Sequence, residues 1–193
     1  MNSQSHAMFP EYPRDVIRCL SLWQPHASLI TIGEKLYETR SWSTPYRGWI
    51  AIHAAKTQDE AAFVWKSVQH AKKTDFQHAL PFTQATYDAF KAWMEREHIS
   101  EFNFGMLPFG AIVAVGKLVA IYDAPALHKK LTGRVREFGD FGHGRYAWRI
   151  EEVQALKTPL PYRGQQGLWA LDQATIADVW KATELQNWRG END

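Results

Sequence analysis

Three charged side chains follow one turn closely in the chain: Lys35, Glu38 and Arg40, within Gly33-Glu34-Lys35-Leu36-Tyr37-Glu38-Thr39-Arg40. A lysine works as a general base only when burial or a nearby cation lowers its pKa towards neutrality. A glutamate beside it acts the other way and favours the ammonium, so this pairing suits ligand binding or an ion pair better than a lysine base. Glutamate can itself act as a base towards water, which keeps hydrolysis open. Arg40 adds a planar fork that matches phosphate. From residue types alone, two readings stand side by side: a ligand wall carrying Lys35 and Glu38 as its reactive pair, or an ion-pair network bracing the turn.

The surrounding stretch supplies further candidates. Trp23 and Tyr46 can stack on a base or pack in a core. Gln24 can read a base edge or cap a helix. Arg47 and Lys56 can meet phosphate or stand as solvated surface charges. His53 lies in an apolar run and reads either as a satisfied core histidine or, if its face lines a cleft, as a hydrogen-bonding partner for a base. Downstream, the Gly-Asp-Phe-Gly-His-Gly-Arg run at 139–145 lacks the strand–loop–helix context of a phosphate loop. It reads as a mobile flap that brings Arg136, His143 and Arg145 near a ligand.

These residues need elements to position them. Residues 16–22 alternate apolar and polar and predict a strand. Pro25 suits a first helical turn, and Gly33 suits a helix end, so 25–32 reads as a short helix delivering Lys35. Residues 37–42 predict a strand with Glu38, Arg40 and Trp42 on one face and Tyr37, Thr39 and Ser41 on the other. A turn at 44–48 leads to a buried strand at 49–55. Thr57 and Glu60 form a capping box for a helix to about 73, and a second helix is expected at 84–98 on Tyr87, Phe90 and Met94. Strands follow at 110–122, kinked or bulged at Gly116, at 146–153 and at 168–171. An amphipathic helix closes the chain at 175–188. With few helical crossovers the sheet is expected to be mixed or mainly antiparallel, curled towards a small barrel with helices outside: an α+β fold. Residues 1–13 read as a tail and 14–193 as one domain, with a helical insertion at about 57–107.

Composition narrows the function classes. The 193 residues carry a formal net charge of +1, which argues against a broad basic surface for duplex DNA but leaves room for a basic pocket. Cys19 is the one cysteine, so no internal disulfide or cysteine-rich metal site is available. The histidines lack metal-site spacing, and no metal or other cofactor is expected. No apolar run approaches the roughly 18 residues needed to span a membrane, and the first residues do not resemble a secretory signal. A cytoplasmic setting is the expectation.

Leu22-Trp23-Gln24-Pro25, the short helix, and Gly33-x-Lys35-x-x-Glu38-x-Arg40 together resemble the signature of the ASCH domain family, within the PUA-like superfamily of small β-barrels. The likeness continues through Tyr46-Arg47-Gly48, Ile52-His53-Ala54 and Lys56, and through Gly164-Gln165-Gln166-Gly167-Leu168-Trp169. It implies a cleft for RNA, another single-stranded nucleic acid or a modified nucleoside. One branch resembling this fold removes the acetyl group of N4-acetylcytidine with a lysine base, a threonine three residues later and a distant glutamate; another member is a metal-dependent ribonuclease. Lys35 matches that lysine, but Glu38 stands where the threonine would be, and Thr39 points to the opposite face of its strand. The expectation is therefore a binding domain. Its alternatives are a hydrolase using Lys35 and Glu38, or a non-catalytic protein-interaction module.

Overall fold

The computed structural model describes residues 12–56, 84–96, 98 and 107–183. The expected capping box at Thr57 and Glu60, its helix to about 73, and residues 184–188 of the closing helix lie outside them.

Strand β1 (Ile17–Leu22) buries both of its faces, so it occupies the interior of the sheet. Ile17 and Cys19 enter one apolar cluster, and Leu20 and Leu22 enter another. Helix α1 (His26–Thr31) follows. Pro25 precedes its first residue, across a cis peptide bond from Gln24. Gly33 ends the helix at φ +83, a left-handed conformation that costs glycine least. The Glu34 and Lys35 amides then donate to Leu29 O at 3.0 Å each, which fixes where the chain leaves the helix.

Strand β2 (Tyr37–Arg40) pairs antiparallel with β5 (Tyr146–Pro161), placing Glu38 opposite Trp148. Strand β3 (Gly48–Ala54) is buried along its whole length. It runs parallel to β1 and antiparallel to β4 (Ala111–Asp123). Strand β6 (Leu168–Ala170) adds to β1. The sheet order is β2-β5-β4-β3-β1-β6, a mixed six-stranded sheet in an α+β fold. Its edges, β2 and β6, do not pair with each other, so the described strands form an open sheet and the expected barrel is not closed.

Between Val115 and Lys117 the register against β5 shifts around Gly116. A Cβ there would come within 2.9 Å of Ile150 Cγ2, so the close approach of the strands requires glycine. Strand β5 runs past the expected end at 153 as far as Pro161. Its prolines are tolerated because β2 pairs only with residues 146–149, leaving that side of the later residues free of a ladder partner.

One face of the sheet carries a core of Leu20, Leu22, Ile50, Ile52, Leu118 and Trp148, onto which α1 packs through Ala27 and Ile30. Fully burying each aliphatic side chain there is worth about 1.5–3 kcal/mol. On the other face Ile17, Trp49, Ile112 and Trp169 meet α4 (Gln173–Ala182) through Ile176 and Val179. Asp172 caps α4 by accepting from the Thr175 amide at 2.9 Å, so the helix begins two residues earlier than expected. Cys19 is buried there, and desolvation pushes its thiol pKa up.

Helix α2 (Gln84–Arg96) buries Ala85, Ala89 and Phe90 against Leu29, Leu107 and Phe138. The 123–145 segment, read as irregular, contains helix α3 (Ala124–His128), capped by Asp123, and a 3-10 turn at Gly133–Glu137. No described helix is long and apolar enough to cross a membrane.

Candidate functional site

A cavity of about 720 Å³ opens at the rim of the sheet, between the β2 edge and the residues entering β6. Strand β2 sets its chemistry. Glu38 and Arg40 lie on the strand face that carries Trp148 into the central core, while Tyr37 and Thr39 face the 138–141 loop. Thr39 Oγ1 accepts from the Asp140 amide at 3.0 Å, which holds that loop against the strand.

Lys35, Glu38 and Arg40 converge in this cavity. Lys35 is 3% exposed, and its Nζ lies 3.5 Å from Glu38 Oε2 while donating to Phe138 O. Arg40 Nε lies 3.2 Å from the other carboxylate oxygen, and its Nη2 donates to Ser21 O at 2.6 Å. Glu38 is thus held between two cations. Burial lowers the Lys35 pKa, Glu38 opposes that shift, and Arg40 and Arg145 add to it. Residue types suggested that the glutamate would dominate the lysine's pKa; burial is the larger effect, and the net shift is downward.

Arg145 reaches the cavity from the start of β5. Its Nη2 donates to Thr39 O at 3.2 Å, and its Nε faces Asp140 Oδ2 at 3.3 Å. The 137–145 loop is more firmly held than a free flap. Phe138 and Phe141 are buried in separate clusters, and the Phe141 ring stacks on His128 at 5.3 Å. Arg136 donates to His128 Nε2 at 3.2 Å, and neither it nor the exposed His143 lines the cavity. Trp23 stands at the mouth, 58% exposed.

The other candidates serve the framework. Gln24 is buried; its Nε2 donates to Pro108 O at 2.8 Å and its Oε1 accepts from the Ser28 amide at 3.1 Å. Tyr46 donates to Trp49 O at 2.8 Å and lines an adjoining cavity. Arg47 donates to Thr44 O and Tyr46 O and closes its own turn. The Lys56 side chain passes beside Gly110, away from the cavity lining. His53 is 1% exposed and also lies outside the lining. Its Nε2 bonds to Tyr162 O at 3.0 Å, so that nitrogen carries the proton and Nδ1 accepts from Ser21 Oγ at 2.9 Å. Gly164 packs so tightly on this pair that a Cβ would sit 2.5 Å from the His53 ring.

His26 was missed by reading the residues in order. It opens α1 and lines the cavity, and its buried Nδ1 has no hydrogen-bond partner. Burial, aided by Lys35 and Arg40 and opposed by Glu38, pushes its pKa down to about 4. Its place immediately after Trp23-Gln24-Pro25 was the available signal. Trp42 also lines the cavity, as the strand alternation through Glu38 and Arg40 implies. Gln165 and Gln166 do so from the segment entering β6, and Glu137 and Asp140 from the loop. Among the described residues no group of three or more His, Cys, Asp or Glu side chains is arranged to hold a metal ion.

Residues 20–106 match the ASCH domain family model. Over this stretch the chain is similar to ASCH domains. The match begins at Leu20 within β1, includes β2, β3 and the Lys35–Glu38–Arg40 wall, runs through α2, and stops before β4. The chain is 58% identical over 40 residues to the human protein Activating signal cointegrator 1; that alignment covers 20% of this chain and 7% of the human protein's length. Among solved structures, an ASCH protein from Zymomonas mobilis superposes with a TM-score of 0.49 at 15% identity, covering 89% of this chain and 97% of that one. A variant of the same protein gives a TM-score of 0.47 at 16% identity, covering 89% and 99%.

Proposed function

We propose that this domain binds a base of RNA, of another single-stranded nucleic acid, or of a modified nucleoside in the cleft between β2 and β6. One observation carries this reading: the exposed Trp23 ring stands at the mouth of a cavity whose interior holds Lys35, Glu38, Arg40 and His26. A base needs an aromatic face to stack on and fixed donors and acceptors at its edge, and this arrangement offers both. The cavity volume is in the range of small-ligand sites. The cleft cations Lys35, Arg40 and Arg145 each lie close to a carboxylate, which suits an uncharged, hydrogen-bonding group. The open sheet is read as a PUA-like barrel parted along this seam, and a cytoplasmic setting belongs to the same reading. The packing of α2 on α1 favours ligand binding over a protein-interaction surface on that helix. Titrating the protein with nucleosides and short single-stranded RNA tests the site. Binding should fall about ten-fold or more in Trp23→Ala, the loss expected of a base–aromatic stack, and also fall in Arg40→Ala, with both variants melting as cooperatively as the parent. Unchanged affinity in both variants would remove the proposal.

A second reading, hydrolysis, is favoured by the buried Lys35 with its lowered pKa in contact with Glu38. In that case Lys35 accepts a proton from the attacking water and Glu38 orients it. Incubation with N4-acetylcytidine, and separately with RNA and a divalent metal, checks this. The product yield should exceed that of a Glu38→Gln control; equal yields would exclude those reactions.

A further inference from the structure

A second cavity, of about 520 Å³, adjoins the first, because Trp42 and Gly167 line both. It lies in the same seam, between the 42–46 turn after β2 and Leu168 of β6. Its one charged lining residue is Arg18. This residue lies on the β1 face that carries Leu20 and Leu22, and its guanidinium sits 5.3 Å from the centre of the Tyr46 ring. Tyr46 cannot move freely, since its hydroxyl is bonded to Trp49 O. The arginine is therefore held by a ring that offers no countercharge.

The contrast with the larger cleft decides what Arg18 is for. There, the Nε atoms of Arg40 and Arg145 each face a carboxylate oxygen, at 3.2 and 3.3 Å. The Nε atoms of all three arginines are buried without a hydrogen-bond partner, but among the described residues no carboxylate forms an ion pair with the Arg18 guanidinium. Arg18 is partly buried on the cavity wall, so its guanidinium has no protein countercharge yet can be reached by an anion, and its planar fork fits phosphate. Lining hydroxyl residues Ser43 and Thr44 add short polar groups to the same wall.

We propose that Arg18, with the Tyr46 ring behind it, forms a phosphate subsite for a ligand whose base occupies the neighbouring cleft. The inference rests on the base-binding reading above and sharpens it. The preferred ligand is a phosphorylated one, a nucleotide or a nucleic-acid strand, in preference to the free nucleoside. It also moves the phosphate contact away from Arg47 and Lys56, which face other parts of the fold.

The test compares the intact protein's affinity for a nucleoside, the matching nucleoside monophosphates, a dinucleotide and inorganic phosphate. A charge-assisted contact should make the phosphorylated ligands about ten-fold tighter than the nucleoside. The Arg18→Gln variant should lose that gain while binding the nucleoside unchanged. Its salt slope for a single strand should fall by about 0.7. Nucleoside and nucleotide binding equally to the parent protein would overturn the subsite and leave the base-binding cleft standing. So would a nucleotide preference that survives Arg18→Gln. Inorganic phosphate binding as tightly as the nucleotide would overturn the link between the two cavities. No binding of any of these ligands would overturn both readings. The comparison on the unaltered protein keeps the test decisive even if Arg18→Gln fails to fold.

Discussion

Residues 35–40 and residues 46–56 carry the same kinds of side chain, yet the fold uses them in opposite ways. In the first stretch Lys35, Glu38 and Arg40 converge in a cavity and form ion pairs there, with Arg40 Nε left without a hydrogen-bond partner. In the second, Tyr46, Arg47 and His53 spend their hydrogen bonds on backbone carbonyls and a serine of the framework. The two histidines show the difference most clearly. His53 has both ring nitrogens bonded, whereas His26 keeps a buried Nδ1 without a partner inside the cavity. A chemically capable side chain becomes available to a ligand only where its local neighbours leave it something to do.

The largest test of that contrast is to break the paired wall. Glu38→Ala leaves Lys35 and Arg40 without their shared carboxylate, and the loss in stability should be about 3–5 kcal/mol, the scale for stranding a buried charge. Urea unfolding measures it. Replacing both members, with Lys35→Met and Glu38→Leu together, should cost less, because the buried lysine charge goes with its partner and only Arg40, a quarter exposed to water, loses its carboxylate. Equal costs for the two would mean that the pair is not coupled.

His53→Ala should cost about 1–3 kcal/mol by leaving the half-buried Tyr162 carbonyl without its donor. It should leave ligand affinity unchanged. A loss of affinity at constant stability would place His53 with the ligand and dissolve the contrast. Acid sensitivity comes next. The unfolded chain protonates its histidines near pH 6.5, while folded His26 stays neutral down to about 4. The contribution is therefore fully present above about pH 6.5 and is lost as the pH falls towards 4. Burial also depresses the His53 pKa, against the opposing bond to Tyr162, so it adds in the same direction. His26→Gln should flatten the fall in stability between pH 7 and pH 5; an unaltered pH profile would show that His26 protonates freely. The smallest effects belong to Arg47→Ala and Lys56→Ala, which should each change ligand affinity by less than about 0.5 kcal/mol in a binding titration.

Much of the framework could be read from local pattern. Alternation marked β1 and β2, an apolar run marked β3, and Gly33 marked the end of α1, because each depends on interactions within a few residues. The length of β5 was not legible. Its prolines look like strand breakers until the sheet order shows that they face a side without a partner. The anchoring of the 137–145 loop was hidden for a similar reason. Phe138 and Phe141 look like any loop aromatics until α1, α2 and α3 bring their pockets.

The sequence by itself determined that Lys35, Glu38 and Arg40 would stand near one another, since a turn and a strand of alternating side chains allow little else. It also determined that Glu38 and Arg40 would share a face with Trp42. Tertiary structure alone decided that this face looks across a seam to Gln165 and Gln166, and that His26 lies inside the cleft. It alone decided that Arg18 sits without a carboxylate beside Tyr46. Those relations join residues far apart in the chain, and they are set by how the sheet is ordered and where its two edges stop, which no local pattern encodes.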